Sequence, residues 1–215
     1  MRKFVIGSGG SAFSDGGLGA VQAMNVFDFF DDKGDLITDH VPFGQADTIK
    51  EAKVRDPEFL QNISVLMPCD VTSPLIGTKG AAHVFGPQKG AKPDMIQTLD
   101  RNIEHVIRLF LKAKTGGSDD QFESLSIKQS SGASGGIVGA FMALFGDNTT
   151  TVSGMNFVAN LTDLNEKIGQ SDLVVTGEGS FDSQTLQGKA VAQIIDICME
   201  HEKHVVVVCG VNRVS

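Results

Sequence analysis

Two short apolar runs, Leu173-Val174-Val175 and Val205 to Val208, flank a stretch that sets Val191, Ile194, Ile195 and Cys198 at helical spacing. Strands that are apolar on both faces and joined through a helix find neighbours only in a parallel sheet covered on both sides. The pattern therefore predicts a parallel α/β unit. Two strands do not complete such a sheet, so the chain reads as incomplete, with further strands and helices expected around these two.

Upstream, glycine punctuates segments with clean periodicity. Phe4 to Ile6 is a short apolar run that stops at Gly7-Ser8-Gly9-Gly10-Ser11; Asp15-Gly16-Gly17 and a helical stretch through Leu18, Val21 and Met24 follow. This reads as strand, glycine-rich loop, helix. Ile63, Val65 and Met67 share one face at period two, and the strand they define ends in Pro68-Cys69-Asp70-Val71-Thr72, which puts Asp70 at its carboxyl end. Between Pro93 and Lys114, Met95, Ile96, Leu99, Ile103, Val106, Ile107 and Phe110 recur at three- and four-residue steps, with Pro93 suited to a first turn and Gly116 to the stop. A second apolar helix opens after Gly132-Ala133-Ser134-Gly135-Gly136 and runs to Gly146, while the polar, acidic stretch Thr115 to Glu123 is expected to be an exposed connection.

With 26 acidic against 18 basic residues and no block of Lys or Arg, the chain lacks the electrostatic footprint of a nucleic-acid or anionic-membrane partner. No apolar run approaches a membrane span, and the three cysteines, Cys69, Cys198 and Cys209, have no metal-ligand or disulfide spacing, so a cytoplasmic protein with reduced thiols is expected. The five His are likewise scattered. An acidic chain that binds phosphate must do so locally, through main-chain N–H groups, a few Lys and a bridging cation.

Four glycine-rich turns supply such groups: Gly7 to Gly10, Asp15 to Gly17, Gly132 to Gly136, and Gly177 to Gly179. The P-loop pattern is absent, because Gly188-Lys189 is followed by Ala190. Asp70, Glu178 and Asp182 all follow strand segments, the ends at which open parallel sheets place ligands. One such carboxylate would orient or deprotonate an alcohol and others would hold Mg²⁺, a cation that prefers oxygen ligands. Each has a plainer alternative: Asp70 as a turn residue, Asp182 as a helix cap, Glu178 as a solvated side chain. In Phe85-Gly86-Pro87-Gln88-Lys89-Gly90-Ala91, a rigid turn presents the Gln88 amide and the Lys89 ammonium, with a surface reversal as the alternative.

In that order the motifs Gly7 to Ala12 with Asp15-Gly16-Gly17, Cys69 to Leu75, Phe85 to Ala91, and Thr176-Gly177-Glu178-Gly179-Ser180-Phe181-Asp182 with Gly188-Lys189 resemble the glycerate kinase family that includes the bacterial enzymes. Gly132 to Gly136 keeps that family's glycines, with Ser134 where Ala is usual. The resemblance implies ATP-dependent, Mg²⁺-assisted phosphorylation of D-glycerate by a two-lobed α/β enzyme. Part of a Rossmann-like parallel α/β domain would fall in 171–215, and an inserted α/β domain would make up most of 1–170. It implies a chain cut short at both ends. It assigns catalysis to Asp70, Lys89 and Asp182, and metal binding to Asp70, Glu178 and Asp182. Substrate or nucleotide would be held by Gly7, Ser8, Gly9, Gly10, Ser11, Asp15, Gly16, Gly17, Thr72, Gln88, Gly132, Gly135, Gly136, Gly177, Glu178 and Gly179.

Two other functions fit parts of the sequence. Gly7-Ser8-Gly9-Gly10-Ser11-Ala12 satisfies a permissive dinucleotide fingerprint, with Asp28, Asp31 and Asp32 near the ribose distance, which would make the chain a nicotinamide-dependent oxidoreductase. Alternatively the chain is an inactive binding module.

Overall fold

The computed structural model describes residues 1–182 and 190–213. The chain divides into two compact units, Met1–Thr151 and Val152–Ser215. The expected boundary at 170/171 lies beyond two short helices that belong to the second unit.

The first unit contains strand β1 (Arg2–Val5), helix α1 (Leu18–Met24), strands β2 (Phe27–Phe30), β3 (Leu36–Ile37) and β4 (Glu51–Val54), helix α2 (Pro57–Gln61) and strand β5 (Ile63–Pro68). Helices α3 (Ala81–Phe85), α4 (Pro93–Thr115), α5 (Asp119–Ser126) and α6 (Ile137–Phe145) follow, and strand β6 (Thr149–Val152) crosses its boundary by one residue. β1 and β5 lie parallel, from Arg2 opposite Ile63 to Val5 opposite Leu66, in a sheet of order β1-β5-β6. β3-β2-β4 is a separate antiparallel sheet. This arrangement overturns the dinucleotide alternative. That site needs the strand after the first helix to join the first strand in one parallel sheet, whereas β2 pairs with β3 and β4, and Asp28 is engaged by Arg55 at 2.6 Å.

β5 alternates as its sequence predicts, burying Ile63, Val65 and Met67. α4 has Pro93 in its first turn, Asp94 near the positive end of the helix dipole, Lys112 and Lys114 near the negative end, and a left-handed cap at Gly116. Its inward stripe buries Ile96, Ile103, Val106, Ile107 and Phe110, and the Phe110 ring stacks on Phe27 at 5.4 Å between centroids. Met95 and Leu99 leave that stripe: Met95 is exposed and Leu99 half-buried. α6 is apolar all round and buried from Val138 to Phe145, the signature of a helix inside a core. The expected loop at 115–123 is instead the start of α5. Ser118 accepts from the Gln121 N–H and Gln121 returns the contact, a capping box, while Phe122 and Leu125 bury the inner face.

The second unit holds helices α7 (Gly154–Leu161) and α8 (Leu164–Gly169), strand β7 (Leu173–Phe181), helix α9 (Ala190–Glu200) and strand β8 (His204–Asn212). β7 and β8 are parallel in register from Leu173–His204 to Phe181–Asn212, and α9 packs against both. Burial on both faces was expected here. In fact only alternate residues are half-buried, while Val175 and Val208 remain 64% and 61% exposed. The expected turn at Gly177 to Gly179 is also corrected: these residues continue β7, because pairing with Val208 to Val211 extends the ladder past Thr176.

Because Phe110 is fully buried and stacked, Phe110→Ala should destabilise the chain by about 3–5 kcal/mol, read as a shift in urea midpoint at unchanged slope.

Candidate active site

The loop after β1 and the segment after β5 lie side by side, because the two strands are parallel neighbours and both end at the same edge of the sheet. Ser8 ties them together, its Oγ donating to the Pro68 carbonyl at 3.0 Å, two residues before Asp70. Asp70 and Thr72 are exposed at this edge.

From Gly7 to Asp15, among the described residues, no main-chain N–H donates a hydrogen bond to the protein. Ile6, the last residue before this stretch, still donates to Leu66 at 2.9 Å. A Cβ placed at Gly7, Gly9 or Gly10 would meet nothing within 4 Å, so the loop is open on its outer side. The other glycines do different work. Gly16 and Gly17 are buried, and Gly16 N–H donates to the Gly135 carbonyl at 2.9 Å. A Cβ on Gly135 would stand 2.3 Å from the Phe13 carbonyl oxygen, and one on Gly132 would stand 2.0 Å from that of Pro74. Gly132, Gly135 and Gly136 are all buried and bring the two loops together by backbone contact. Asp15 is occupied in the same way, accepting from the N–H groups of Gly17 at 2.9 Å and Gly19 at 3.0 Å at the start of α1.

The turn 85–91 reaches the same loop. Gly86 packs where only a bare Cα fits, 2.3 Å from the Ala82 carbonyl to an added Cβ. Pro87 starts one tight turn, and Gly90 closes it by donating to the Pro87 carbonyl at 3.0 Å. Gln88 points into solvent as an exposed side chain, whereas Lys89 Nζ donates to Ser11 Oγ at 3.1 Å and to the Phe13 carbonyl at 2.5 Å. Both acceptors are neutral. Partial burial pushes the Lys89 pKa down, and the nearby Asp15 charge pulls it part of the way back. Beside Lys89 lies a recess of 280 Å³ with Ser14 and Asp15 on one side and Phe43, Met95 and Leu99 on the other, which accounts for the departure of Met95 and Leu99 from the core stripe. The buried Ser14 Oγ has no hydrogen-bond partner among the described residues. A larger recess of 560 Å³ lies over β2 and β3, but there the Arg55 guanidinium is already held by Asp28 and Asn25.

Gly177, Glu178, Gly179 and Asp182 belong to the second unit. Glu178 Oε1 is buried and receives no hydrogen bond among the described residues. Asp182 is half-buried just past β7, and the Gly188-Lys189 motif lies outside the described residues. Among the described residues, no three acidic, His or Cys side chains cluster tightly enough to hold a metal by themselves.

Two features escaped the sequence. Ser134 Oγ lies against the Ser8 carbonyl across 126 positions of chain. The apolar wall of the recess comes from residues whose spacing matched a core stripe. Neither pairing leaves a local pattern to detect.

A glycine-gathered loop at the carboxyl edge of parallel strands, with a lysine folded over it, is an arrangement suited to an anionic ligand. The glycerate kinase family matches the chain over residues 1–215. Glycerate 2-kinase of Escherichia coli K12 is 36% identical over 210 residues, covering 97% of this chain and 52% of its own length. Glycerate kinase of Bacillus subtilis 168 is 33% identical over 211 residues, covering 97% and 52%. A crystal structure from Salmonella typhimurium LT2 that bears the provisional name glycerate kinase 2 superposes with a TM-score of 0.72 at 33% identity, covering 97% of this chain and 53% of that one. The chain belongs to the glycerate kinase family. It spans about half the length of these relatives.

Folding lowers the Lys89 pKa, so the unfolded chain binds the extra proton in the window between that lowered value and the ordinary 10.5. Stability against denaturant should therefore rise with pH through this window, and Lys89→Met should remove that rise.

Proposed function

We propose that this chain supplies the phosphate-handling half of an ATP-dependent kinase that phosphorylates D-glycerate. The observation that carries the reading is the run of main-chain N–H groups from Gly7 to Asp15 that have no partner among the described residues, held at the carboxyl edge of β1 and β5 with Lys89 beside it. Main-chain amides bind phosphate without a net positive chain, which suits a net charge of −8. The family membership supports the substrate and the phosphoryl donor.

In this reading the N–H groups of the Gly7–Ser11 loop take the phosphate oxygens. Lys89 neutralises a phosphate or the glycerate carboxylate as a point charge. Asp70, exposed at the end of the segment that Ser8 ties to the loop, orients the glycerate hydroxyl and accepts its proton as the new O–P bond forms and the bond to the leaving ADP oxygen breaks. Thr72 and Gln88, both exposed, lie on the two segments that frame the loop and would contact the substrate. The buried glycines Gly16, Gly17, Gly132, Gly135 and Gly136 act through the backbone contacts that hold the loop, and Asp15 acts through its charge on Lys89.

The Glu178 oxygen that has no hydrogen-bond partner among the described residues fits a cation, so Glu178 with Asp182 would hold Mg²⁺, with Gly177 and Gly179 on either side of Glu178 in the strand. Mg²⁺ characteristically uses one or two carboxylates together with phosphate oxygens and water, so a protein cluster of three is not required. Mg²⁺ supplies neutralisation of phosphate charge in phosphoryl transfer.

The test is ATP-dependent phosphorylation of D-glycerate followed by ³¹P NMR, which also distinguishes the 2- from the 3-phosphate. Asp70→Asn should lower kcat by about 10²–10⁴-fold with little change in nucleotide affinity. Full turnover in that variant removes Asp70 from catalysis, and the absence of any glycerate phosphorylation by the unaltered protein overturns the proposal.

A further inference from the structure

The 280 Å³ recess beside Lys89 has walls unlike those of the loop it adjoins. One side is apolar, made by Phe43, Met95 and Leu99. Met95 is 45% exposed although its spacing fits the core stripe of α4, and Phe43 and Leu99 are only half-buried. Single exposed apolar side chains need no explanation, but three that line one concavity beside polar groups mark a ligand site. The opposite side carries one charge of each sign. Asp15 accepts from the N–H groups of Gly17 and Gly19, and the Lys89 ammonium is drawn to the loop by Ser11 and the Phe13 carbonyl.

These walls discriminate among the molecules of the proposed reaction. D-Glycerate is an anion with oxygen on every carbon, so it loses hydration against Phe43, Met95 and Leu99, and the Asp15 carboxylate repels its own. A triphosphate is excluded on the same grounds. The base of ATP is neutral, with apolar faces and an amino group at its edge. Aromatic and thioether side chains suit those faces, and a carboxylate that has used one lone pair on each oxygen still accepts from an amino group. Size points the same way. Sites that enclose a whole drug-sized ligand run from roughly 300 to 1,000 Å³, so this recess takes one ring system and leaves the phosphates outside it.

We infer that the recess lined by Phe43, Met95 and Leu99 binds the base of the nucleotide whose phosphates lie on the Gly7–Ser11 loop. The inference rests on the reading of that loop as the phosphate site, and it gives the nucleotide a direction. Ser14 and Ala12 line the recess, whereas Ser8, at the other end of the loop, is tied to Pro68 two residues before Asp70. A base held at the Ser14 end sends the terminal phosphate toward Ser8, the end at which Asp70 would meet the glycerate hydroxyl.

The test compares ATP with inorganic tripolyphosphate by titration calorimetry, in the unaltered protein and in Met95→Asn and Leu99→Asn, and looks for nuclear Overhauser contacts between adenine H2 or H8 and a ¹³C-labelled Met95 methyl group. ATP should bind at least about tenfold more tightly than tripolyphosphate, the effect of burying part of the base. Each substitution should remove most of that difference while tripolyphosphate affinity stays level, which also shows that the variant is folded; Met95 is exposed enough for its replacement to leave packing intact. Equal affinities for ATP and tripolyphosphate, with no contact from adenine to Met95, overturn the inference and leave the phosphate reading standing. Contacts from D-glycerate protons to the Met95 methyl in place of adenine overturn it as well. If neither ATP nor tripolyphosphate binds the unaltered protein, the phosphate reading fails first and takes this inference with it.

Discussion

Everything at the candidate site leans on bare backbone at the entrance to α6. The Pro74 and Phe13 carbonyls approach Gly132 and Gly135 more closely than any side chain would permit, so two loops that leave different strands are pressed onto the same short turn. α6 behind that turn is buried all round, which makes the platform rigid at the cost of tolerance: a single methyl group at Gly132 or Gly135 has nowhere to go. Placing the turn at the head of a core helix converts packing of the interior into placement of the surface loops.

Charge is handled locally throughout. A net negative chain confronts a negative ligand class, and the groups that would meet it are main-chain N–H donors and one lysine held by two uncharged oxygens rather than by an ion pair. Arg55 and Arg108, by contrast, are committed to carboxylates: Arg55 to Asp28, and Arg108 to Glu104, Asp119 and Glu123. The stronger cations are spent on structure and the weaker one is left near the loop, consistent with a lysine acting as a compact point charge.

Much of the local structure was legible. The period of two in Ile63, Val65 and Met67, the stripe from Ile96 to Phe110, and the glycine stops at Gly116 and Gly146 map directly onto β5, α4 and α6. These are properties of neighbouring residues, and neighbouring residues are what a sequence displays. The glycine clusters were visible too, but not their division of labour. Gly9 and Gly10 face open space, Gly132 and Gly135 are buried against carbonyls, and Gly177 lies within a strand; only partners distant in the chain decide which. α5 differs: its signal is local, the Ser118–Gln121 capping box, but the polar and acidic composition of 115–123 reads as a connection. The Ser134 to Ser8 contact had no sequence signature at all.

The two bonds made by Lys89 have a consequence for entry of a charged molecule. Each joins an ammonium to an uncharged oxygen, and a phosphate or carboxylate oxygen makes a stronger, charge-assisted bond with the same donor. Occupation of the loop would then be an exchange of partners, in which Ser11 and the Phe13 carbonyl surrender the ammonium to the newcomer. The segment from Ser11 to Phe13 would loosen as the ligand tightened, linking arrival of the anion to freedom at the rim of the neighbouring recess.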